Sequence, residues 1–114
     1  MITIFHNNRC SKSRECLDLI KKRNINYKVI EYLKDDFNLN HIKQIVDGLE
    51  GDLKELIRVK EKVLKGISIN FNDKGQIVEL IYKYKVCMQR PIIFTGKKYI
   101  ICRPPDKVLN YLKG

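Results

Sequence analysis

A chain of 114 residues supplies one domain and leaves little room for a second. With 32% charged against 44% hydrophobic residues, and no apolar run near the roughly 18 residues of a membrane span, the composition excludes a membrane protein. The formal net charge of +10 lies almost wholly in the second half: residues 1–57 carry ten basic and nine acidic side chains, residues 58–114 thirteen and four.

Ile2–Phe5 reads as a short strand. It has neither the basic leader nor the cleavage site of a secretory signal, so the expected location is the cytoplasm. A polar turn follows, His6-Asn7-Asn8-Arg9. Ser11 and Ser13 offer hydroxyls to cap a helix. Its apolar stripe runs through Cys16, Leu17, Leu19 and Ile20 and ends near Arg23-Asn24. Tyr27–Tyr32 is a second strand. Strand, helix and strand with such short links make a βαβ unit, so the two strands are expected to be parallel.

The middle is helical. Leu39, Ile42, Ile45, Val46 and Leu49 keep the 3.6-residue period, and Leu53, Leu56 and Ile57 predict its continuation up to Arg58. Lys60–Lys65 suits a turn or short helix, and Asp73–Tyr84 sets Ile77, Leu80, Ile81 and Tyr84 at helical spacing. There is no repeat and no low-complexity linker. Residues from about 38 to 86 are therefore expected to form a helical lobe inserted into one domain, 1–114.

Pro91–Thr95 and Lys98–Cys102 read as strands around Gly96-Lys97, and Gly first in a two-residue loop signals a tight hairpin. Pro104-Pro105 opens a last helix, Asp106–Leu112. The order β-α-β, helices, β-β-α is the thioredoxin pattern, an α/β fold.

The hairpin turn fixes a register. Phe94 faces Tyr99, Ile92 faces Ile101, Pro91 faces Cys102, and Arg90 faces Arg103. Like charges directly opposite destabilise a ladder. Two guanidinium forks meeting at its open end make sense with an anion between them; the alternative is that both reach solvent or carboxylates. Each also precedes a proline, which favours extended backbone. The basic surplus of the second half points the same way, to a small oxyanion, nucleic acid or an acidic surface. A lysine-rich composition that only solvates the surface is the competing explanation.

The four cysteines, Cys10, Cys16, Cys87 and Cys102, are sparse and irregularly spaced, so no disulfide framework is expected. None forms a Cys-x-x-Cys pair, which argues against a metal site and against a self-contained dithiol. Cys10 follows a strand and opens a helix, where free N–H groups and the helix dipole stabilise a thiolate. Arg9, Lys12 and Arg14 add positive charge, and His6 stands nearby. Cys16 lies about 9 Å further along the helix, beyond the roughly 4.4–6.8 Å Cα separation of a disulfide, and reads as a core residue. Cys102 reads as packing, and Cys87 falls in a connecting loop.

His6-Asn7-Asn8-Arg9-Cys10-Ser11-Lys12-Ser13-Arg14-Glu15 resembles the active-site loop of the ArsC-like family. That family comprises arsenate reductases that use glutathione and glutaredoxin, and also the Spx transcription regulators. Leu56–Glu61, Gln89–Thr95 and Cys102–Leu109 resemble its other three motifs, in the right order. Asn8 departs from the family's usual proline, and Tyr84-Lys85 from its usual His-Pro.

The resemblance implies an oxidoreductase in which Cys10 is the nucleophile and His6 tunes it. Arg58, Arg90 and Arg103 bind the oxyanion, Pro91 is a cis-proline beside the site, and Ser13 is a structural neighbour. It implies glutathione as co-substrate, glutaredoxin as partner, and no bound cofactor or metal. Two alternatives stay open on the same scaffold. One is a glutathione-dependent reductase of other substrates. The other is an Spx-type regulator that binds RNA polymerase, whose hallmark Cys-x-x-Cys is here Cys10-Ser11-Lys12-Ser13.

Overall fold

A computed structural model describes residues 1–112. Strands β1 (Ile2–His6), β2 (Tyr27–Glu31), β3 (Leu49–Glu50), β4 (Ile92–Phe94) and β5 (Tyr99–Ile101) form one mixed sheet in the order β2-β1-β4-β5-β3. β1 and β2 are parallel, from Ile2↔Tyr27 to His6↔Glu31, as the βαβ reading requires. β4 runs antiparallel to β1 and β5. The hairpin has the expected register, Ile92↔Ile101, Ile93↔Ile100 and Phe94↔Tyr99. The Cys102 N–H extends it by donating to the Pro91 carbonyl at 3.0 Å. Gly96 takes a φ of 96°, which a residue with a side chain rarely adopts.

Alternation along the strands loads both faces of the sheet. Ile4, Ile93 and Ile100 turn to one side, where they pack with Cys16 and Ile20 of helix α1 (Ser11–Lys21), Cys102 and Val108. Val108 belongs to a 3-10 helix, Pro105–Tyr111, where the sequence predicts a helix over Asp106–Leu112. Phe5, Ile92 and Ile101 turn to the other side, against helices α2 (Leu39–Gly48) and α3 (Lys74–Lys83). The helical lobe therefore forms one layer of the fold. Asn38 and Asp73 cap its two helices by accepting from the N–H groups of His41 and Gln76. Among the described residues, no helix is long and apolar enough to cross a membrane.

The structure corrects the expected course of the chain after α2. The period of Leu53, Leu56 and Ile57 predicts a continuing helix, but α2 stops at Gly48 and the chain turns into β3, parallel to β5. Gly48 lies against the Tyr99 ring, where a Cβ would come within 2.9 Å of Cδ2. Leu49 is already extended, at φ −67° and ψ 127°, and Gly51 has a φ of 125°. Asp52 then caps a single 3-10 turn, Leu53–Glu55. Glu50 fixes the new edge strand, accepting from Lys98 Nζ at 2.6 Å and from the Tyr111 hydroxyl at 2.9 Å.

Ile93 is fully buried on the central strand β4. Ile93→Ala should lower unfolding free energy in urea by about 2–5 kcal/mol. Lys34→Ala, which breaks only an exposed ion pair of 3.8 Å with Glu31, should change it by less than about 1 kcal/mol.

Candidate active site

Cys10 is the N-cap residue of α1, with φ −93° and ψ 120°. Its N–H donates to the Asn7 carbonyl and its carbonyl accepts from the Arg14 N–H, each at 3.0 Å. The intervening loop is closed by its own polar groups. Asn7 Oδ1 accepts from the Arg9 N–H at 3.0 Å, and Arg14 Nη1 donates to the Asn8 carbonyl at 2.9 Å.

Neither serine caps the helix. Ser11 is exposed, and Ser13 is fully buried under the loop. The Ser13 hydroxyl lies 2.6 Å from His6 Nδ1 and accepts from the Asn7 N–H at 3.0 Å. With the Ser13 hydroxyl donating to Nδ1, His6 Nε2–H is free to donate to Asn8 Oδ1, 3.4 Å away. His6 is thereby a buried strut between β1 and α1, not a partner of the Cys10 sulfur.

The cap position is left to a thiol. Partial burial opposes its ionisation, but the N–H of Ser13, the Arg90 guanidinium and the N–H of Lys12 outweigh that cost. The Cys10 pKa therefore lies below the ordinary thiol value. Arg103 makes the direct contact, with Nη2 3.6 Å from Sγ.

Arg103 and Arg90 act on the Cys10 sulfur directly, and Arg58 is joined to Arg90 through Gln89. Arg103 is held by its own Nε, which donates to the Arg90 carbonyl at 2.8 Å. This contact joins the open ends of β4 and β5 and fixes the Arg103 fork beside Arg90. Arg90 Nη1 donates to the Val86 carbonyl at 3.2 Å, and its buried Nε has no partner. The Arg90–Pro91 and Arg103–Pro104 peptides are both cis.

Arg58 comes from the lobe. An antiparallel bridge pairs Ile57 with Met88. On either side of it, the Arg58 N–H donates to the Cys87 carbonyl and the Gln89 N–H to the Leu56 carbonyl, both at 2.7 Å. Arg58 Nε pairs with Glu61 at 3.0 Å, and Nη1 donates to Gln89 Oε1 at 3.2 Å. The same Gln89 oxygen accepts from the Arg90 N–H at 3.2 Å, tying the two arginines together.

Sequence reasoning misses Glu61 and Gln89. The i,i+3 spacing of Arg58 and Glu61 is a readable signal; Gln89 opens a segment with family resemblance, but nothing in the sequence shows that its oxygen joins two arginines. An open groove of about 630 Å3 runs from Arg58 and Gln89 past Lys60, Lys62 and Val63.

The other thiols are set apart. Cys16 and Cys102 are fully buried in one cluster, and the neighbouring Cys102 thiol together with burial raises the Cys16 pKa. Cys87 lies in the core on the opposite face of the sheet, its pKa pushed up to about 11 by burial.

Comparison with known proteins yields a consistent set. A family model described as the ArsC family matches residues 5–111. An arsenate reductase of Haemophilus influenzae is 32% identical, over 97% of this chain and 98% of its own length. One of Neisseria meningitidis is 33% identical, over 94% of each. The solved arsenate reductase of Vibrio cholerae superposes with a TM-score of 0.84 at 28% identity, covering 97% of both chains. An arsenate reductase-related protein of Brucella melitensis shares the fold alone, with a TM-score of 0.69 at 15% identity, over 99% of this chain and 95% of its own.

The thiol environments set an order of reactivity. Iodoacetamide at pH 7 should modify Cys10 first, with a rate that falls only as pH drops through its lowered pKa. Cys87, at about 11, should stay inert in the folded protein. Arg90→Ala should move the Cys10 midpoint upward. Mass spectrometry of peptides alkylated across a pH series checks this; faster labelling of Cys87 or Cys102 would contradict the assignment.

Proposed function

The chain belongs to the ArsC family, and from that premise we propose that it reduces arsenate, with Cys10 as nucleophile and glutathione and glutaredoxin as reductants. The observation that carries this reading is the Arg103 Nη2 contact to the Cys10 sulfur at 3.6 Å. It brings a guanidinium from the far end of the chain to a thiol already inclined to ionise.

The chemistry follows from the charges. A thiolate and an arsenate dianion repel, so cations must stand where they meet. Arg90 and Arg103 have no carboxylate partner among the described residues, whereas Arg58 is shared with Glu61. In the proposed cycle the Cys10 thiolate forms a bond to arsenic, and one arsenate oxygen leaves as water. A glutathione thiolate then attacks the Cys10 sulfur. The arsenic–sulfur electron pair goes to arsenic, which departs as arsenite. Glutaredoxin takes the glutathionyl sulfur from the mixed disulfide and frees Cys10. Lys60 and Lys62 in the groove beside Arg58 suit the two carboxylates of glutathione.

The Cys-x-x-Ser spacing supports this reading over a two-thiol sensor of the regulator type. The Ser13 hydroxyl is buried and spent on His6 and Asn7.

Arsenate turnover, coupled through glutathione, glutaredoxin and nicotinamide-linked recycling, tests the proposal. Charge-assisted hydrogen bonds are worth roughly 1.5–3 kcal/mol, so Arg90→Ala and Arg103→Ala should each lower kcat/KM by about one to two decades. Lysine should restore only part, lacking the planar fork. Arg58→Ala should act in the same direction but less, because Glu61 already offsets its charge. Folded variants as active as the parent would refute the oxyanion site. A parent that turns over no arsenate but binds RNA polymerase would replace the enzyme with a regulator.

A further inference from the structure

Tyr32 is fully buried, and its hydroxyl has no hydrogen-bond partner. Among the described residues, the only other buried side-chain atom in that condition is Arg90 Nε. An unpaired polar atom shut away from water is unfavourable unless something meets it in a working state of the protein.

The place of Tyr32 says what that is. Parallel pairing sets Glu31 level with His6, so Tyr32 follows at the carboxyl end of β2, beside Asn7 and the loop that leads to Cys10. Ligands of open α/β sheets gather at this edge. The ring is fixed in the core edge-on to Phe37, with centroids 5.9 Å apart. The groups whose charge or dipole acts on the hydroxyl are Arg90, Asn7, Cys10 and Arg58. These include the nucleophile and two of the arginines. The Asn7 carboxamide faces the phenol oxygen from the donor side and favours its ionised form, and no acceptor takes the hydroxyl's own proton.

We propose that the Tyr32 hydroxyl is a neutral hydrogen-bond donor to an oxygen of the bound oxyanion, beside the Arg90 Nε–H. The assignment rests on the oxyanion site proposed above and adds a residue to it. Burial raises the Tyr32 pKa, so the hydroxyl keeps its proton and can donate it. A neutral donor has a use that a further cation lacks. It holds the anion without further stabilising the Cys10 thiolate, whose attacking power falls as its pKa falls.

The test is protection of Cys10 from iodoacetamide by inorganic phosphate and by arsenate, in the parent, Tyr32→Phe and Arg90→Ala. Tyr32→Phe removes one oxygen and leaves the ring. It should raise the half-protecting anion concentration about tenfold, the effect of one charge-assisted hydrogen bond. Alkylation without anion should stay within about twofold, because no charge is lost. The urea midpoint should fall little, because in the free protein no acceptor takes the hydroxyl's proton. A purely structural tyrosine would give the reverse, a lower midpoint with unchanged protection, and would overturn the proposal. If Arg90→Ala loses protection while Tyr32→Phe keeps it, Tyr32 alone is excluded. If neither anion protects the parent, the oxyanion site itself falls and the role of Tyr32 with it.

Discussion

One buried hydroxyl joins the two elements on which everything else is arranged. Ser13 Oγ accepts from the Asn7 N–H and lies 2.6 Å from His6 Nδ1. It thus ties the carboxyl end of β1 to the first turn of α1 from beneath the loop. With that turn fixed, Cys10 falls at the helix N-cap and the N–H groups of Lys12 and Ser13 are left for its sulfur. A serine or asparagine at position 10 would satisfy those N–H groups with oxygen and close the helix end. A thiol leaves it electrophilic, as a thiolate site requires.

Charge then separates two kinds of arginine. The hairpin brings Arg90 and Arg103 to one mouth, and backbone carbonyls absorb part of their hydrogen-bonding capacity: Val86 for one, Arg90 for the other. Carbonyls orient a guanidinium without cancelling its charge, so the mouth stays cationic. Arg58 is oriented by Glu61 instead, and a carboxylate does cancel charge. The cationic character of the site is thus set by which acceptors hold each fork, beyond the number of arginines. The surplus of the second half contributes background potential only, since exposed lysines are screened over about 8–10 Å of saline.

Much of this was readable from residue types. The βαβ unit and the hairpin register are local patterns, set by alternation and by Gly96, and both are in the structure. The same register sets Arg90 opposite Arg103, so that pairing is legible in the sequence as well. The continuation of α2 was misread because Leu53, Leu56 and Ile57 fit a helical period while belonging to a turn and a bridge. Helix periodicity cannot register that Tyr99, about fifty residues later, packs on Gly48. Ser13 was misread as a cap for the opposite reason. The local rule is sound, but the position had been taken by Cys10. Tyr32 was read only as a strand residue, because an unpaired hydroxyl is a property of the packed neighbourhood, not of the sequence pattern.

The distribution of thiols carries the argument one step further. Cys16 is one turn and a half along α1, buried with Cys102 against one face of the sheet. Cys87 is buried against the other face, its S–H directed at the Leu80 carbonyl 3.9 Å away. Neither group shares the loop in which the Cys10 sulfur lies. The Cys-x-x-Cys partner position is held by a serine whose hydroxyl is part of the scaffold. A covalent adduct on Cys10 therefore has no thiol within the described chain poised to displace it. In the proposed cycle the completing thiol comes from another molecule, and the groove beside Arg58 is open to solvent. The proposed cycle uses such a diffusing thiol in place of an internal dithiol, in keeping with a serine at position 13 and three buried cysteines.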